Sequence, residues 1–409
     1  MSKSAMSERR VALISAALVS LGPASIALYS PAMPEMVADF GTTTAGIKAT
    51  MTAFFGGLAF AQLIAGPLAD AFGRRTTTLV FVGIYIVSSI AALLAPTVEV
   101  LIAARLAQGI GASIGVTTAR AVVRDLFPGD AGARIMNVIA MIIAIAPMLS
   151  PVIGGMVVAV SGWHAIFALM VVFGAAVFAM AYLMLRETTV PDRANIRGAE
   201  IGRNYLRLLA NREFLSAAIV MGASIGTIQS SATIMPFVLI DTVGLSPAEF
   251  GLFITLPPTS FLAGSIAFRL LSRRFGPAQL VFPGLIALSA GSALIAVWGL
   301  VFGPSTAAYV VPLCINTFGI ALVLPHMSIA GLRGFPRIAG SASALTGFFQ
   351  MGAGFVGGML AALFASPAIA TSVIFPAFAL ICATAYGIYL RAAAAAVRHE
   401  AAARPVSAE

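Results

Sequence analysis

Apolar runs of about 20 residues recur along this chain with only short polar breaks between them, and that recurrence limits the fold more than any motif. A helix crossing the hydrocarbon core of a bilayer needs about 20 apolar residues. Twelve such runs are present. The first six occupy residues 11–31, 47–68, 77–95, 100–123, 134–160 and 163–185. The other six occupy 214–240, 249–271, 278–300, 306–329, 341–364 and 369–391. Hydrophobic residues make up 60% of the chain and charged residues 10%, with a mean hydropathy of +1.00. A soluble domain of this size does not have that balance; an all-α membrane protein does. The first run, which carries Pro23 and Pro31 and is followed by further spans, reads as an uncleaved helix rather than a signal peptide.

The charges sort the polar breaks into two kinds. Lys3, Arg9 and Arg10, then Arg74 and Arg75, then Arg120, Arg124 and Arg134 fall on one side of the predicted spans. So do the arginines between Arg186 and Arg212, then Arg269, Arg273, Arg274, Arg333, Arg337, Arg391, Arg398 and Arg404. The alternate connections hold Glu35, Asp39, Glu99, Asp241 and Glu249, with Lys48 their one basic residue. Basic loops stay on the cytoplasmic side, so both termini are expected there. This alternation explains the net charge of +9 and removes nucleic acid as a partner. Cys314 and Cys382 both lie in apolar runs and read as reduced packing residues.

The order of runs gives four regions: a six-helix half at 1–185, a cytoplasmic linker at 186–213, a second six-helix half at 214–391 and a tail at 392–409. The linker's Tyr205–Leu209 portion has the composition of a short helix on the membrane surface. Between the second and third runs stands G-P-L-A-D-A-F-G-R-R, residues 66–75; between the eighth and ninth stands G-S-I-A-F-R-L-L-S-R-R-F-G-P, residues 264–277. Basic turns at equivalent places imply two related halves about an axis along the membrane normal, with a cavity between them.

The 66–75 stretch resembles the signature loop of the major facilitator superfamily, with Ala71 where that family has Arg. Further stretches narrow the resemblance. They are Leu28-Tyr29-Ser30-Pro31, Arg105-Leu106-Ala107-Gln108-Gly109, Ala146-Pro147-Met148-Leu149-Ser150-Pro151 followed by Gly154-Gly155, and Gly162-Trp163-His164. In that order they resemble the Bcr/CflA branch of twelve-span drug:proton antiporters. The resemblance implies a bacterial inner-membrane exporter of small amphiphilic compounds, phenicol- or bicyclomycin-like. It would be driven by the proton gradient, use no cofactor, and work as a monomer in the lipid bilayer by alternating access. A facilitator or importer of a single metabolite on the same fold, and a membrane-embedded receptor, are the competing readings. The two prolines of the fifth run argue against the importer, and the lack of a sizeable extramembrane domain against the receptor.

Particular residues carry these expectations. Arg105 is the one arginine placed well inside a span, where a charge must face a cavity or a partner. Gln108, three residues on, shares its helix face; the resemblance gives the pair a coupling role, and tying helices together is the structural alternative. Tyr29, Met141, Gln229, Met235 and Phe349 complete the expected cavity lining. Asp70, Gly73, Arg74 and Asp125 form the expected cytoplasmic gate. Arg74 would pair with Asp125, and Asp70 would sit against the start of the eleventh helix. Pro147 and Pro151 lie on one face and bend their helix; Gly154 and Gly155 allow close packing, and the resemblance makes this the antiporter motif. The family's first-helix Asp is here Ala27, so the titrating group is open; His326, in the tenth run, is the one imidazole well inside a predicted span. No phosphate-cradling loop, no paired intramembrane His–Glu and no Cys/His cluster with metal spacing appears, so an enzyme and a metal site are not expected.

Overall fold

The computed structural model describes residues 6–127, 129–192 and 198–403, without the side chains at 144, 299, 300 and 396–403. Lys3, Arg193, Arg197, Arg404 and the tail beyond 403 therefore lie outside the described residues. Among the described residues the regular structure is helical throughout. The first set of helices is α1 (Glu8–Tyr29), α2 (Met33–Asp39), α3 (Thr44–Phe72), α4 (Arg74–Leu93), α5 (Val98–Ala112), α6 (Ile114–Leu126) and α7 (Asp130–Met184). A connecting helix α8 (Gly198–Ala210) follows. The second set is α9 (Arg212–Pro236), α10 (Pro247–Phe253), α11 (Leu256–Phe275), α12 (Val281–Phe302), α13 (Thr306–Arg333), α14 (Ala339–Ala362) and α15 (Pro367–Ala403).

Eleven helical stretches among the described residues are long and apolar enough to cross a membrane. One of them, α7, has 55 residues. At ~1.5 Å per residue it would be far longer than a bilayer core of ~30 Å. Gly162 breaks it with φ at 68°, a left-handed value that costs glycine little. The break falls between the fifth and sixth predicted runs, so α7 crosses twice and the crossings number twelve. The fourth run is likewise divided at Ser113 into α5 and α6.

Helices apolar on all sides have no solvent face to orient them, so packing detail decides their arrangement. One large buried cluster joins side chains of α1 to α7, with Phe237 added from the turn after α9; a second joins side chains of α9 to α15. Two seams connect the sets: α3 runs against α14, and α7 runs against α10 and α11. The linker helix α8 closes one edge of the first seam. Its Leu208 is buried with Phe214, Ala342 and Leu345, and its Tyr205 hydroxyl donates to the Leu63 carbonyl of α3 at 2.6 Å. Burial pushes the Tyr205 phenol up to about 12. The alanine-rich tail continues α15 as helix to Ala403.

Candidate functional site

Arg105 is fully buried on α5. Its guanidinium lies between the rings of Tyr29 and Phe54, 4.3 Å from each centroid. Nη1 donates to Gln108 Oε1, and Nη2 approaches Met51 Sδ at 3.6 Å. Gln108 in turn donates through Nε2 to Ser89 Oγ at 2.7 Å and approaches Met170 Sδ at 3.4 Å. Tyr29 and Thr50 share a hydrogen bond of 2.5 Å, and Ser25 and Tyr85 one of 2.7 Å. Ring faces, whose quadrupoles attract a cation, stand where a carboxylate counter-ion would. The site exists because α3 and α5 touch backbone to backbone. A Cβ on Gly57 would run into the Leu106 carbonyl, and a Cβ on Gly109 into the Phe54 carbonyl. That approach brings the Phe54 ring over the guanidinium.

The signature loop builds a second polar cluster at the arginine-rich end. Gly73, at φ 96°, turns the chain between α3 and α4. Asp70 pairs with Arg74 at 2.5 Å, and Arg74 Nε faces Asp125 Oδ2 at 3.5 Å, an ion pair rather than a formed hydrogen bond. Asp70 therefore serves Arg74, four residues on in the same loop. Glu187, just past α7, accepts from the backbone N–H of Arg74 at 2.7 Å and of Arg75 at 3.2 Å. This is carboxylate capping of a helix start, where the backbone N–H groups lack helical partners. Thr188 Oγ1 donates to Asp125 Oδ2 at 3.2 Å, and the Asp192 N–H to the Asp70 carbonyl at 3.4 Å. Arg120 reaches the second set, donating to Ser343 Oγ at 3.3 Å.

Of the fifth run, Pro151 and Gly155 lie in the second seam, whereas Gly154 packs inside the first set. Gly154 packs against Leu28, Gly155 against the backbone of Pro247, and Gly251 against the Pro151 carbonyl. The other expected residues do not converge on one cavity. Tyr29, Arg105 and Gln108 stand together, but wholly inside the first set. Gln229 packs on Gly354 and approaches Met351 Sδ at 3.3 Å, facing α14. Met235 is in the core of the second set, and Phe349 backs onto Gly222. Met141, on α7, is 54% exposed. His326 lies beside Tyr389, with ring centroids 6.4 Å apart, between α13 and α15.

Sequence reasoning passed over the α3–α14 seam itself. Gly56 receives the Phe355 ring, Gly347 faces the Gln62 side chain, Gly358 sits against Thr52, and Phe60 meets Phe348 edge-on at 5.4 Å. The signal was available: glycines at 347, 354 and 358 recur along α14 at helical spacing, the pattern that lets membrane helices approach closely. Lys48, expected in a connection, is instead 1% exposed within α3.

Residues 12–358 match the family model of the Major Facilitator Superfamily. The chain belongs to that superfamily. This facilitator is 29% identical over 341 residues to the uncharacterized MFS-type transporter YdgK of Bacillus subtilis strain 168, covering 82% of the chain and 84% of that relative. It is 27% identical over 349 residues to the multidrug resistance protein MdtL of Shigella dysenteriae, covering 84% and 85%. Its fold is similar to that of a crystallised peptide transporter, POT, in complex with alafosfalin. The TM-score is 0.75 at 16% identity, over 94% of both chains. A bacterial homologue of the human lysosomal transporter Spinster gives a TM-score of 0.72 at 15% identity, over 94% of this chain and 96% of that one. At such identities the structures speak for the fold alone. The facilitator is thus a multi-pass membrane transporter, and its relatives include multidrug resistance proteins.

Proposed function

We propose that this facilitator is a Bcr/CflA-type exporter of the bacterial inner membrane. It moves neutral or weakly acidic small amphiphiles outward by alternating access, in exchange for protons. The efflux reading rests on the likeness to MdtL. The substrate class rests on the chemistry of the α3–α14 seam. Between Lys48 and Asp70, α3 carries no charged residue, and α14 carries none at all. A permanent cation entering such a seam would leave water without meeting a carboxylate, and an unpaired buried charge is heavily penalised. The seam offers aromatic rings at Phe60, Phe348 and Phe355, the thioether of Met351 and the amides of Gln62 and Gln229, which suit a compact neutral molecule with a few polar groups. In this reading residues 1–185 and 214–391 move as two bodies joined by 186–213, both ends of the chain are cytoplasmic, and the protein works as a monomer.

The resealing of the Pro147–Gly155 segment against α10 would be one half of that movement. Pro147 and Pro151 remove backbone bonds from α7 and make it bendable there, which favours exchange over a static pore. The test is efflux from intact cells preloaded with a phenicol or with a quaternary ammonium dye, with and without a protonophore. Protonophore-sensitive loss of the phenicol, with the dye retained, is expected. Export of the dye alone would refute the substrate class, and uptake of either compound would refute the direction.

A further inference from the structure

Lys48 stands near the arginine-poor end of α3, its ammonium enclosed. Nζ donates to the Ala361 carbonyl at 3.2 Å and lies 5.5 Å from the centroid of the Phe237 ring. Ala361 and Phe237 both follow α8 in the chain and belong to the second set or its turn, whereas Lys48 belongs to the first. The ammonium is therefore enclosed only while the two sets meet at this end. Ala361 is the penultimate residue of α14, where unpaired carbonyls and the helix dipole favour a cation.

The charged groups on the elements packed about Lys48 at this end are Glu35 and Asp39 on α2, Glu99 and Arg105 on α5 and Asp241 in the turn Phe237–Thr242; α14 contributes none, and Arg105, which approaches Met51 one turn from Lys48, adds a like charge rather than a counter-ion. Asp39 is taken by the Trp163 indole, which donates to Oδ2 at 2.6 Å. The described ion pairs join Arg74 to Asp70 and Asp125, and Arg134 to Glu8, and none involves Lys48. One carbonyl and one ring face return less than the hydration shell an ammonium gives up on burial. The surrounding seal is otherwise tight. Gly358 lies against Thr52 one turn from Lys48, Gly155 lies against Pro247, and Ser30 Oγ donates to the Ala232 carbonyl at 3.2 Å across the sets.

We propose that Lys48 is a gating residue that keeps this seal reversible, its buried charge holding the closed end shallow enough to reopen in every transport cycle. The proposal rests on the alternating-access reading above. Its test needs no drug and no cell. In purified full-length protein, with Cys314 and Cys382 replaced by Ala, Ser30→Cys is labelled with a soluble thiol reagent, and its rate reports opening of the seal. Lys48→Met keeps the chain length and removes the charge; it is expected to slow labelling about tenfold or more, since apolar replacement of a buried ion commonly stabilises by that factor. Lys48→Arg should label near the parent rate, and Lys48→Gln carries the same test if the Met variant fails to fold. Labelling of the neutral variants at or above the parent rate overturns the proposal. A protein that exports nothing but shows the slowed labelling would refute the efflux reading and leave the gate standing.

Discussion

Gly109→Ala separates the close approach of α3 and α5 from ordinary helix propensity, because the two effects have opposite signs. In a helix interior, alanine in place of glycine is favourable by about 0.5–1 kcal/mol. At Gly109 the added Cβ meets the Phe54 carbonyl carbon and the Leu58 nitrogen at 3.0 Å, with the Phe54 carbonyl oxygen nearer still. Those are backbone atoms that cannot rotate away, and overpacking of this kind costs about 1–3 kcal/mol. Relief comes only from moving α5 off α3. That also draws the Phe54 ring from the Arg105 guanidinium, a cation–π contact worth about 2 kcal/mol when desolvated. The net expectation, overpacking and the lost contact less the propensity gain, is destabilisation by about 2–4 kcal/mol. Gly83 of α4, with nothing within 4 Å of a built Cβ, is the control, and Gly83→Ala should stabilise by about 0.5–1 kcal/mol. Thermal unfolding of the two variants in detergent, followed by tryptophan emission or thiol exposure, gives the comparison. A Gly109→Ala protein as stable as Gly83→Ala would refute the backbone contact and the caging of Arg105 that depends on it.

Arg74→Ala and Asp125→Ala should each impair efflux at near-normal expression, with the double variant little worse than Arg74→Ala; fully additive losses would show that they do not act together. Glu187→Gln keeps the shape of the side chain that caps α4 and removes its charge; unfolding should show a loss of about 0.5–1 kcal/mol, with no loss pointing to a solvated Glu187. Cysteines at Thr97 and Gly303 should react with an impermeant reagent added outside cells and cysteine at Ser272 should not, the opposite pattern reversing the assigned orientation.

How far the sequence could be read depended on what each residue's signal measures. Run length gave the crossings, because it reflects bilayer thickness, which acts on each span separately. The Arg105–Gln108 contact was legible for the same reason, since residues three apart share a helix face. The lining of a cavity was not. A helix apolar all round says which residues it holds but not which way each points, so Met235 turned into its own bundle. Lys48 was misplaced because a charge near the end of an apolar run looks like a loop charge until its neighbours from the distant part of the chain are known. The ion pair of Asp70 with Arg74, four residues away in the same loop, was passed over.

The strap formed by residues 186–192 has a consequence for synthesis rather than for transport. Everything it ties down, from the Gly73 turn and the start of α4 to Asp125, has left the ribosome before it does, since chains emerge from their amino end. Once Glu187 and Thr188 are inserted, the first six crossings can close over their own exposed backbone N–H groups with no help from anything still to be made. Damage to the strap would then be felt first as poor yield of inserted protein, from nascent chains left open to membrane proteases while the remaining crossings are still being threaded.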